Sequence, residues 1–253
     1  AEAGLPLLHR SARGVTLTEA GDALMHHARQ ILQQHDLLRK ELREYASGLR
    51  GRLKLYAITV ALTEYLPGLL APWLGQRPEL HLELRERTSA EVVFAVANGI
   101  ADLGVASDAV EPLGLMRIDL VEDHLVVLVS PQHRLAILDS VDFEHLPGEQ
   151  FVGLTDENPF QKLLERRALE TGQRLHTRVR LKTFESVCDM VSHGIGIAIV
   201  PLHAAQRYHS PQRFNVLRLN DSWASRKLCV WYRNLGSLSA PMKSLLDHLR
   251  PAP

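Results

Sequence analysis

The chain has 253 residues, 45% of them hydrophobic and 23% charged, with 29 basic against 29 acidic side chains. That balance belongs to a globular protein large enough for one big or two modest cores. No apolar run reaches the ~18 residues that cross a bilayer, and no charged-then-apolar-then-small leader opens the sequence, so a membrane partner is not expected. The neutral total is uneven: residues 1–54 carry nine Lys/Arg against six Asp/Glu, net +3, and the remainder twenty against twenty-three, net −3. A nucleic-acid-facing end would therefore lie at the N-terminus.

The stretch "SARGVTLTEAGDAL" (11–24) reads as the closing element of a small domain. From Thr18 to about Leu49 there is no Pro, and good helix formers dominate. Thr16 and Glu19 have the spacing of a capping box, and Gly51 stands where the helix should stop. Leu24, Ala28, Ile31, His35, Leu38, Leu42, Tyr45 and Leu49 are spaced 4-3-4-3-4-3-4, a heptad seam. A helix lying on its own domain would show a broader stripe. Here the other positions are mostly charged or polar, with Leu32 and Leu37 the main exceptions. The seam predicts dimerisation through this helix, with His35 leaning out to water.

From Leu53 onward, short apolar runs alternate with helical patterns. Strands are predicted at 53–59, 80–87 and 101–107, with helices at 62–77 and 89–99 between them. After a strand at 125–131 the grammar restarts: strands at 150–155, 176–182 and 195–201, helices at 160–172 and 186–194. "RKLCVWY" (226–232) returns the chain to the first half, which also receives a final helix at 240–250. The β-α-β order predicts parallel strands with crossover helices, in two similar lobes with a cleft between them.

The two cysteines, Cys188 and Cys229, sit in apolar settings 41 positions apart and read as buried reduced thiols. Thirteen histidines are scattered without metal spacing, and neither a G-x-S-x-G elbow nor a phosphate loop is present. The glycines of "HGIGIAIVP" (193–201) follow a helix and precede a strand, the reverse of a dinucleotide fingerprint. Gly194 is read instead as a left-handed C-cap and Gly196 as a close-packing position. No catalytic residue, cofactor or metal is assigned.

What the pattern does offer is a crevice at the carboxyl ends of the strands. Thr59 and Thr63, Thr88 and Ser89, Leu154, Thr155 and Asn158, and Thr183 and Phe184 stand there. Hydroxyls, free N–H groups and one aromatic suit a small anionic organic molecule. Each Thr or Ser also has a helix-capping role open to it, and Thr88 with Glu91 has capping-box spacing. A lining without base, nucleophile and metal points to sensing rather than turnover.

The stretch "GLPLLHRSARGVTLTEAGDALMHHARQIL" (4–32) resembles the end of the winged helix-turn-helix, and the linker helix after it, of LysR-type transcriptional regulators. "LPGLLAPW", "NGIADLGVAS", "EDHLVVLVSPQHRLA" and "MVSHGIGIAIVP" resemble that family's later landmarks, in order, over practically the whole chain. The resemblance implies an α/β fold: the remnant of a winged helix-turn-helix and a long linker helix, then two Rossmann-like subdomains of a type 2 periplasmic-binding-protein-like effector domain. The implied divisions are a wing remnant at 1–17, a linker and dimerisation helix at 18–50, subdomain I at 52–127 with 228–253, and subdomain II at 128–227. The rest of the DNA-reading domain is expected before residue 1.

In that reading Arg10 and Arg13 of the wing lie near DNA phosphates. The implied partners are operator DNA, a small-molecule effector, further copies of the chain in a homodimer or homotetramer, and RNA polymerase, in the bacterial cytoplasm. Position 60, a hydroxyl residue in some members, is Val here, which speaks against a sulfate-type ligand. Peroxide-sensing members place two cysteines in one mobile segment, and Cys188 and Cys229 do not match that arrangement. Two rivals remain: a solute-binding protein of a transport system, which shares the two-lobed fold, and a small-molecule enzyme.

Overall fold

A computed structural model describes residues 4–11, 14–47, 50–146, 148–208 and 213–250. Strands β1 (Leu8–Ser11) and β2 (Gly14–Leu17) form an antiparallel hairpin that runs into the 29-residue helix α1 (Glu19–Ser47). The helix is capped by Thr18, whose Oγ1 accepts the Gly21 N–H at 2.9 Å and donates to the Pro6 carbonyl at 2.9 Å. The predicted Thr16–Glu19 capping box does not form, because Thr16 is paired with His9 inside the hairpin. Gly21 allows the first turn to press against the chain before it, since a Cβ there would strike the Leu7 carbonyl oxygen. Gly51, expected to stop the helix, lies inside a strand instead.

In the first lobe β3 (Arg50–Ala57) lies between β4 (Glu79–Glu86) and β5 (Leu103–Ser107), all parallel. Helices α2 (Leu66–Gly75) and α3 (Ser89–Ala97) cross between them. The helix predicted from 62 begins as a π-helical turn, Ala61–Tyr65. Pro67, in the first turn of α2, has no N–H to continue the preceding ladder, so the helix breaks there.

The 14-residue strand β6 (Met116–Val129) runs through both lobes. Residues 116–124 pair antiparallel with β12 (Ser225–Tyr232), which also pairs with β5. Further along, β10 (Ala198–Pro201) pairs with 125–128, and β11 (Asn215–Leu219) flanks β6 and carries the short β7 (Ser140–Val141). The two lobes thus share one eight-stranded sheet, seven strands along its path and β10 beside β6, rather than having wholly separate sheets. A parallel pair, β8 (Gln150–Leu154) and β9 (His176–Leu181), joins the second lobe through Phe151 and Ile197. There the Val152 N–H reaches the Ile197 carbonyl and the Ile197 N–H the Gln150 carbonyl, each at 2.8 Å.

Helices α4 (Pro159–Glu170), α5 (Phe184–Ser192) and α6 (Leu202–Arg207) belong to the second lobe. The last helix, α7 (Ala240–Leu249), packs on the first: Trp73 Nε1 and Arg77 Nη2 donate to Ser244 Oγ at 3.2 and 3.0 Å. Gly194 has φ +72° and ends α5 as expected, while a Cβ on Gly196 would collide with the Gln150 carbonyl oxygen. Apolar residues of β3, β5, β6, β10 and β12 fill the core, with Trp231, Phe143 and Phe214 its bulkiest fully buried members.

Candidate functional site

The carboxyl ends of the first-lobe strands are drawn level by backbone bonds: the Arg87 N–H to the Ala57 carbonyl at 2.9 Å, and the Ile58 N–H to the Val105 carbonyl at 3.1 Å. In the second lobe the Thr155 N–H reaches the Leu181 carbonyl at 3.1 Å. Between these two sets of ends lies a cavity of about 470 Å³. Of the residues expected there, Thr59, Thr88 and Ser89 line it. Ser89 Oγ accepts the Ser107 N–H at 3.3 Å, which brings the end of β5 into the wall as well.

Thr88 does cap α3, in a complete capping box. Its N–H and hydroxyl both reach Glu91 Oε2, at 2.9 and 2.8 Å, and hold that carboxyl below the usual carboxylate range.

The other expected residues are placed differently. Thr155 and Asn158 line an adjoining cleft of about 620 Å³ with Arg85, Arg87, Lys162 and Lys182. Thr63 is exposed and bonds back to the Thr59 carbonyl at 3.1 Å. Thr183 caps α5 by accepting the Ser186 N–H at 3.2 Å. Phe184 is buried edge-to-face against Phe160, ring centres 5.3 Å apart, and lines with Leu154 a small internal space behind the cavity wall.

Several wall residues were not anticipated: Ser107, Arg166 and Arg167 on α4, and Ser222, Trp223 and Arg226 where the chain returns to the first lobe. Ser107 was legible, since it ends the third strand, whereas the others reach the cavity only through the packing of distant segments. Arg167 lies over the Trp223 ring at 5.5 Å and pairs with Glu170 at 2.7 Å.

Two sets of side chains tie the lobes together. At the mouth, Thr59 Oγ1 donates to Asn158 Oδ1 at 3.1 Å, and Asn158 Nδ2 donates to Glu86 Oε1 at 3.0 Å. Asn158 is also the cap of α4, its Oδ1 accepting the Phe160 N–H at 2.8 Å. At the crossing strands, Arg226 Nε and Nη2 reach Asp123 Oδ2 at 3.1 and 3.0 Å, with both side chains buried. Tyr65 donates to Asp123 Oδ1 at 3.4 Å, and burial first, then Asp123, raises its phenol above the ordinary range. The Tyr65 ring lies 5.0 Å from that of His203, and the buried Glu64 meets His203 Nδ1 at 3.3 Å and Arg207 Nη1 at 3.6 Å.

Among the described residues no cluster of His, Cys, Asp or Glu could hold a metal. Both cysteines are buried, and burial pushes each thiol up to about 12.

The hairpin before α1 was expected to present Arg10 and Arg13. Arg13 and the side chain of Arg10 lie outside the described residues. Along the seam, Leu24, Ile31, Leu38 and Leu42 are each more than half exposed, His35 is exposed and Ala28 partly so. The Tyr45 side chain and Leu49 lie outside the described residues.

The LysR substrate binding domain matches residues 46–253. The chain belongs to the LysR-type transcriptional regulator family. The HTH-type transcriptional activator IlvY of Salmonella typhimurium is 28% identical over 227 residues, covering 87% of this chain and 75% of IlvY. The HTH-type transcriptional activator CmpR of Synechocystis is 23% identical over 246 residues, covering 97% and 81%. Among solved structures, the LysR family regulator CbnR superposes with a TM-score of 0.68 at 19% identity, over 98% of this chain and 86% of CbnR. The regulatory domain of Synechocystis CcmR in complex with 2-PG gives 0.63 at 21% identity, over 79% and 96%.

These structures share the two-lobed α/β fold. The relatives are transcriptional regulators rather than enzymes, and the match favours a LysR regulator over a transport solute-binding protein. No helix among the described residues is long and apolar enough to cross a membrane.

Proposed function

We propose that this LysR family member is a cytoplasmic homo-oligomer that binds operator DNA and responds to a small anionic organic effector held between its lobes. In this reading the seam from Leu24 to Leu49 pairs two copies, and Arg10 and Arg13 meet DNA phosphates. Subdomain I comprises 52–127 with 228–253, and subdomain II 128–227. Thr59, Thr88 and Ser89 contact the effector directly. Thr155 and Asn158 sit at the neighbouring mouth, while Thr63, Leu154, Thr183 and Phe184 support the wall. RNA polymerase is a further partner of the DNA-bound oligomer.

The observation that carries the reading is the exposed seam of α1. Leu24, Ile31, Leu38 and Leu42 stand free of their own chain at heptad spacing, which a solute-binding protein has no use for. Leu38→Asp with Leu42→Asp places two charges per copy in the proposed seam. Sedimentation should show a smaller species, and operator affinity in the regulator carrying its DNA-reading helices should fall by about tenfold or more. An unchanged oligomer with unchanged DNA binding would remove the reading.

A further inference from the structure

We infer that the effector is a monocarboxylate with an apolar body, its carboxylate received by Arg166 and its body seated against Trp223 and Phe160. The inference rests on the cleft being the effector site. Three arginines line the cavity, and no Asp or Glu among the described residues does. Two of the three are already engaged: Arg226 by the buried Asp123, and Arg167 by Glu170 and the face of Trp223. Arg166, exposed at the rim of the cavity, forms no hydrogen bond or ion pair among the described residues. One uncompensated cation matches one negative charge, and a guanidinium receives a carboxylate with two parallel bonds.

A second charge on the ligand finds no second free cation among the described residues of the cavity, because the other two guanidinium groups are paired within the protein. The Arg167 Nε–H adds a buried donor with no acceptor, on the guanidinium that stacks on Trp223. That donor is available to an oxygen of the ligand.

The remainder of the wall selects the body. Val60, Val110, Pro159, Phe160, Leu163 and Trp223 present apolar surface to the cavity. A small hydrophilic anion would displace water from that surface with no contact in return, whereas an aromatic or branched apolar group fills it. Beyond β3, Thr59 and Val60 both line the cavity, so a hydroxyl already bonded to Asn158 and an apolar side chain adjoin there.

The test is titration calorimetry of the whole protein with three probes: 3-phenylpropionate, its neutral amide, and succinate. 3-Phenylpropionate should bind, with the amide and succinate each about tenfold weaker or worse. Arg166→Gln should weaken 3-phenylpropionate by about tenfold and leave the amide unchanged, while Trp223→Ala weakens both. Absence of 3-phenylpropionate binding at millimolar concentration, equal or tighter binding of succinate, or an unaltered affinity in Arg166→Gln overturns the inference.

Ala90→Trp, which fills the cavity from α3, separates this failure from that of the parent reading. Preferred succinate binding that disappears in the folded Ala90→Trp protein overturns the ligand class and keeps the cleft. 3-Phenylpropionate binding that survives the filling overturns the cleft itself.

Discussion

The two lobes are held together in two unlike ways. At the crossing strands the tie is charged and dry: Asp123 and Arg226 face each other out of water, and Tyr65 links them to His203 and Glu64. At the mouth of the cleft the tie is one neutral amide, Asn158, bonded to Thr59 on one side and Glu86 on the other. The bond to Thr59 is neutral and contributes about 0.5–1.5 kcal/mol net, and the bond to the Glu86 carboxylate about 1.5–3 kcal/mol. Breaking a buried ion pair by removing one partner costs about 3–5 kcal/mol, because the other charge is stranded. Under the proposed function the crossing strands act as the hinge and the weaker tie as the clasp, which an effector would exchange for its own contacts.

The largest effect is expected at the hinge. Asp123→Ala should lower stability by about 3–5 kcal/mol in urea unfolding, since it leaves the Arg226 guanidinium buried without its acceptor. A loss below about 1 kcal/mol would put hinge and clasp on a par and erase the distinction. Asn158→Ala removes the α4 cap and both interlobe bonds, for about 1–3 kcal/mol. Thr59→Val, nearly isosteric, removes a single bond for about 0.5–1.5 kcal/mol and should reduce effector response more than it reduces stability. If Thr59→Val proves as damaging as Asp123→Ala, the clasp is structural and not a gate.

The smallest effect is expected of the thiols. Raised to about 12 by burial, Cys188 and Cys229 stay protonated and should not react with a disulfide reagent at neutral pH until the chain is unfolded. Both thiols bind their protons more tightly in the fold than in the open chain. Their contribution is full below the ordinary thiol range and is lost as pH rises through it towards about 12. Rapid labelling of the native protein would contradict this and add a redox-sensitive element to one of the two ties.

Much of this architecture was legible in the residues. Period-two and helical patterns located the paired parallel strands and their crossovers, and polar residues at strand ends marked Thr59, Thr88 and Ser89. What escaped depends on sequence separation. Asp123 and Arg226 are 103 positions apart, and neither stands out locally until β6 and β12 pair. Residues 116–124 of β6 are exposed or half-buried apart from Asp123 and alternate weakly, so only the apolar run after them reads as a strand. Helix α6 follows Pro201 without a capping side chain, and β11 is a five-residue strand beyond it. Trp223 and Arg166 become cavity walls only because the return crossing brings the 222–226 stretch against α4. The Thr16–Glu19 spacing misled because the hairpin's backbone ladder claimed Thr16 first, and Thr18 capped the helix instead.

The rod and the jaw are not attached symmetrically. Helix α1 leads within a few residues into β3, the middle one of three parallel strands, and also touches α7, so among the described residues its main lobe contacts are with the first lobe. The second lobe is reached through β6 and β12, and its main contacts among the described residues are with the first lobe rather than with α1. Under the proposed function, a shift of the second lobe on its effector would reach another copy sideways, through the surface that lobe presents to it, rather than along α1.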